Sequence, residues 1–83
     1  MNSEIFNIIL EKTSEELRPK LKERIINGMY YDDALLILEA YELYDKINDN
    51  SLDKNMIPFM QRTELIDLLD SLYEKDSRKK KSR

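Results

Sequence analysis

The sequence predicts an all-α fold: a small, compact three- or four-helix bundle with a disordered, basic C-terminal tail. Three observations point there. The chain has one glycine and two prolines and is rich in Leu, Ile, Glu and Lys, the residues that tolerate a helix best. It has no valine and no alternating apolar–polar run, and Thr13–Ser14 is its only hydroxyl-rich point, so nothing supports a strand. Its apolar residues instead recur three and four apart.

In order along the chain, Asn2 or Ser3 can cap a first helix, on which Ile5, Phe6, Ile8, Ile9 and Leu10 recur at helical spacing. Thr13 followed by Glu16 has capping-box spacing and suggests a fresh start. Pro19 disfavours helix at Arg18, so the second helical segment begins either near Ser14 or near Pro19. Leu17, Leu21 and Ile25 form its apolar face, and Gly28, after "ERIIN", stands where a left-handed helix stop belongs. A third helix is expected from about 33 to 48, capped by Asp32 and with Asp33 favoured by the helix dipole. Its first half, Ala34 to Leu38, is apolar all round, and Glu39, Glu42, Lys46 and Asp49 form one narrow polar stripe, the pattern of a central helix. "NDNSLD" reads as the longest loop. The last helix has three candidate starts, near Asn50–Ser51, at Pro58, or at Thr63–Glu64, and Leu65, Leu68, Leu69 and Leu72 face inward, with Ile66 and Tyr73 alongside. Residues 1–76 are expected to form the helical domain and 77–83 the tail.

Composition excludes several functions. Without His or Cys the chain lacks the commonest metal ligands, any disulfide and the side chain that titrates near neutrality. One glycine cannot make a phosphate-binding loop. Asp49 onward resembles a calcium loop in placing oxygens at positions 1, 3 and 5, but Lys54 stands at the glycine position and Met60 at the glutamate position. No cofactor, metal or catalytic residue is therefore expected, and Asp32–Asp33 reads as helix-start chemistry. The longest apolar run has too few residues to cross a membrane, and the N-terminus lacks the basic start of a signal peptide, so a cytoplasmic location is expected.

The net charge of −3 conceals an asymmetry. Five of the fourteen bases lie in residues 77–83, which hold no acid; residues 1–76 hold nine bases against all seventeen acids, so −8 faces +5. In the last helix Glu64, Asp67, Asp70, Ser71 and Glu74 lie on one side. The plain reading is a solvated face whose like-charge cost the adjacent basic tail offsets. The sharper reading makes it a docking surface for a partner protein with a basic surface, steered by Glu64, Asp67, Asp70 and Glu74 and anchored by exposed Tyr41 and Tyr44. Such a chain would be a non-enzymatic regulator, inhibitor or immunity-type protein. A second reading is a small nucleic-acid accessory protein using Lys20, Lys22 and Arg24 with Arg78, Lys79, Lys80, Lys81 and Arg83, although acidic residues dominate elsewhere. A third is a self-associating adaptor, a homodimer whose interface relieves the modest stability of so small a core.

Overall fold

The computed structural model describes residues 3–48 and 53–81, the side chains of Ser3 and Lys79 to Lys81 excepted. Four α-helices, α1 (Ser3–Lys12), α2 (Arg18–Ile26), α3 (Tyr31–Ile47) and α4 (Arg62–Lys81), are joined by short turns and, between α3 and α4, by a connection that holds a 3-10 helix at Lys54–Phe59. There is no strand among the described residues, so the fold is all-α.

The joint between α1 and α2 departs from expectation. Thr13 does not cap a new helix. Its amide bonds back to the Ile9 and Leu10 carbonyls, and its hydroxyl donates to the Ile9 carbonyl at 2.7 Å, so Thr13 closes α1 and is buried. The new helix begins instead at Arg18, with Pro19 in its first turn, where a missing N–H costs nothing. Arg18 locks the corner: its Nε donates to the carbonyls of Leu10 and Thr13 at 2.9 and 3.1 Å. At the other end of α2, Gly28 adopts φ +116°, and the Gly28 and Met29 amides both reach the Ile25 carbonyl.

Helix α3 starts two residues before the expected position. Tyr30 takes the extended capping conformation without a side-chain bond, so Asp32 is not the cap; it and Asp33 lie in the first turn. Asn48, at φ 60°, ends the helix in the left-handed conformation that Asn tolerates. Helices α1 and α4 and the 3-10 segment all pack on α3, whose Ala34, Ile37, Ala40, Tyr41 and Leu43 are buried. Ile5 and Ile9 of α1, Leu21 of α2, Ile57 of the 3-10 segment and Leu65, Leu69 and Leu72 of α4 complete the core. Each fully buried Leu or Ile contributes up to about 1.5–3 kcal/mol.

Two ion pairs show the direction of α4. Arg62 Nε meets Asp33 at 2.7 Å, joining the two helix starts, and Lys46 meets Asp76 at 3.4 Å, near the two helix ends. Helices α3 and α4 therefore run parallel, and residues 53–61, whose 3-10 segment packs on α3, lead back to the end at which α4 begins. The 3-10 segment holds that return path in place. Ile57 and Pro58 are buried in it, Asp53 caps its start by accepting from the Asn55 amide, and Lys54 reaches Asp45 at 2.9 Å. Lys54 Nζ also stands 5.6 and 5.8 Å from the ring centres of Tyr41 and Tyr44. Of the three candidate starts for the last helix, Asn50 and Ser51 lie outside the described residues, Pro58 falls inside the 3-10 segment, and the start at Arg62 is one residue before Thr63.

Helix α4 does not stop at residue 76. It continues through Ser77, Arg78 and Lys79 to Lys81, so the stretch expected to be a disordered tail is helical over its first five residues; Ser82 and Arg83 lie outside the described residues.

Candidate functional site

The buried seam of α4 is made by Leu65, Leu69, Leu72 and Asp76, spaced four, three and four residues apart. That spacing turns the opposite side of the helix to water. Glu64, Asp67, Asp70, Ser71 and Glu74 are all exposed there. The four acids differ in their ties. One Glu64 carboxylate oxygen accepts the Gln61 amide at 2.8 Å, one half of a capping box, where the helix dipole also favours a negative charge. Glu74 accepts from Arg78 at 2.6 Å in the favourable i, i+4 order, so the first base of the basic stretch rests on the acidic line. Asp67 and Asp70, between them, make no ion pair among the described residues.

The tyrosines are distributed otherwise than the sequence suggests. Tyr41 is 1% exposed and is not a surface anchor: its ring fills the core, and its hydroxyl shares a 3.0 Å hydrogen bond with the Thr13 hydroxyl. Burial, opposed by that bond, raises its pKa above the ordinary value, with the Asp45 charge adding to the rise. Tyr44 is half-buried, packed against the core with Lys54 over its ring. The exposed tyrosines are Tyr30, Tyr31 and Tyr73. Tyr73 donates to the Glu39 carboxylate, which is the main cause of its own raised pKa. Arg62 stacks over Tyr30 while paired with Asp33, and that bond lifts the guanidinium pKa further.

The basic candidates do not form one surface. Lys20 and Lys22 are exposed on α2, but Arg24 is spent on structure, donating to the carbonyls of Pro58 and, at 2.9 Å, Met60. Arg78 is paired with Glu74. Lys79, Lys80 and Lys81 occupy the last turns of α4, and Arg83 lies outside the described residues.

One feature escaped the sequence reading. Beside the start of α4, Leu17, Met56, Phe59 and Met60 wall a groove of about 340 Å³, with Lys20, Asn55 and Glu64 completing its lining. Met56 and Phe59 are three apart, one turn of a 3-10 helix, and Met60 follows in extended backbone, so the segment "KNMIPFM" is too short to show a period. Arg24 makes the groove a fixed shape by gripping the carbonyls on the segment that carries those side chains.

Among the described residues no three Asp or Glu side chains group so as to hold a metal ion, and no helix is long and apolar enough to cross a membrane. No family model, curated protein or solved structure matches this chain.

Proposed function

We propose that this chain is a non-enzymatic interaction module, a regulator, inhibitor or immunity-type protein, that binds a partner protein with a basic surface through the outer face of α4. One observation carries the reading: four acids stand in line on the exposed side of a helix whose other side is fixed in the core, and the two in the middle have no ion pair of their own among the described residues. A rigid line of charge supports fast, oriented association. The apolar part of the contact falls to Tyr73 and the groove rather than to Tyr41, which the core occupies.

The test reverses the two middle charges. Asp67→Lys with Asp70→Lys, both at exposed positions, should leave the thermal midpoint nearly unchanged, within about 0.5 kcal/mol of stability. Affinity capture from the native host should then lose the partner that the unaltered protein retains at low salt. Retention of that partner by the double variant would defeat the reading.

Self-association is a second reading with its own observation. Tyr31 and Leu35 on α3 and Ile66 and Tyr73 on α4 are all more than 40% exposed, a large apolar offering for so small a chain. Sedimentation at two concentrations decides it: a mass that rises with concentration supports a homodimer, and a monomer at both removes it.

A further inference from the structure

Two features meet at Glu64. Its carboxylate begins the acidic line of α4, and it also lines the groove walled by Leu17, Met56, Phe59 and Met60. From there the line runs to Glu74, roughly 15 Å along the helix. The groove is preformed. Ile57 and Pro58 fix the inner side of its wall in the core, and Arg24 binds the Pro58 and Met60 carbonyls from behind. On the outer side Met56 is left 58% exposed, although it is unbranched and apolar. A flexible thioether of this kind adapts to the shape of an incoming side chain. A volume of about 340 Å³ is at the low end for ligand clefts, which run from roughly 300 to 1,000 Å³.

Resting on the function proposed above, we infer that the partner contributes a cationic amphipathic segment: one large apolar side chain enters the groove, and the Lys or Arg residues beside it lie along Glu64, Asp67 and Asp70. Charge at the groove mouth orients the segment. Lys20 and Glu64 both line the groove, so the mouth carries both signs; on the α2 side Lys20 stands between Glu16 and Glu23, whereas the α4 side continues into an aligned run of carboxylates. An apolar segment without bases would leave that line unmatched, and a basic segment without an anchor would leave Met56 in water.

The four methionines provide the readout. The full chain, labelled with carbon-13 at its methionine methyls, is titrated with three short synthetic helical peptides, one of Leu and Lys, one of Ala and Lys, and one of Leu and Glu. The Leu/Lys peptide should move the Met56 and Met60 methyls and leave Met29, which does not line the groove, in place. The other two should bind about tenfold more weakly or worse, since each lacks one half of the match. Met56→Ser should weaken the Leu/Lys peptide while dichroism shows the helices intact, and Asp67→Asn with Asp70→Asn should weaken both Lys peptides. Equal binding of the Ala/Lys and Leu/Lys peptides with Met56 and Met60 unmoved would overturn the groove inference and leave the acidic face standing. Equal binding of the Leu/Glu and Leu/Lys peptides would overturn the link between groove and charge. Methyl shifts that appear on concentrating the protein alone would give the groove to a second copy and overturn the inference. No binding of any peptide would overturn both readings.

Discussion

The hydroxyl of Tyr41 is held by a residue 28 positions away. Tyr41→Phe removes one partner and leaves Thr13 its bond to Ile9, so it should cost about 1 kcal/mol; Thr13→Val strands the phenol in the core and should cost more, about 1–3 kcal/mol. Chemical denaturation of the two single variants and the double variant measures the coupling. The raised pKa values of Tyr41 and Tyr73 also set a pH limit. Both folded values lie above the unfolded value of 10.0, so the stability they contribute is complete below pH 10 and is lost as pH rises through the folded values. Near-ultraviolet titration should show late ionisation of Tyr41 and Tyr73, with one late step abolished by Tyr41→Phe. Neither the burial of Tyr41 nor its partner was legible in the sequence. The polar stripe of Glu39, Glu42 and Lys46 marks the outer side of α3, but a tyrosine sits at a core rim as readily as inside the core, and a hydrogen bond across 28 residues leaves no local trace. Gly28 was legible, because a lone glycine after a helical run has one main use. Gly28→Ala should cost about 1–2 kcal/mol through backbone strain alone, since an added Cβ meets no atom within 4 Å.

At the scale of elements, the longer helices were readable where their periodicity is local, and the misreadings fall at the junctions. Thr13 has the spacing of a helix start but serves a helix end, because its hydroxyl finds a carbonyl behind it before an amide ahead of it. The 3-10 segment was read as a loop or as the start of the next helix. Its stability comes from Arg24, from the pairing of Lys54 with Asp45 and from the burial of Ile57 and Pro58, and both Arg24 and Asp45 lie outside its own six residues. Arg24→Gln should therefore loosen a segment distant in sequence. A loss of about 1.5–3 kcal/mol is expected for these charge-assisted bonds. Hydrogen exchange should rise at the Met56 and Met60 amides, which bond to the Asp53 and Ile57 carbonyls at the two ends of the segment. The acidic line of α4 was legible as a line, and its exposure follows from the buried seam opposite, but the groove at its head needed three elements brought together in space.

For the molecule as a whole, the parallel pairing of α3 and α4 governs shape. The extents are 44 × 24 × 20 Å and the radius of gyration is 13.2 Å, against about 11.8 Å for a compact chain of this length. The accessible surface of 5828 Å² likewise exceeds the roughly 5,200 Å² usual for this mass. This parallel order was not legible, because a bundle with short links implies alternating directions, and the Arg62–Asp33 and Lys46–Asp76 pairs show otherwise. Asp76 sits level with the last turn of α3, so the remaining turns of α4 carry their lysines about 7 Å past the end of that helix. The molecule is thereby an electric dipole as well as a net anion. In the field of a charged macromolecule it experiences a torque before any contact forms, and its lysine-bearing pole is turned away from a cationic target while the carboxylates swing toward it.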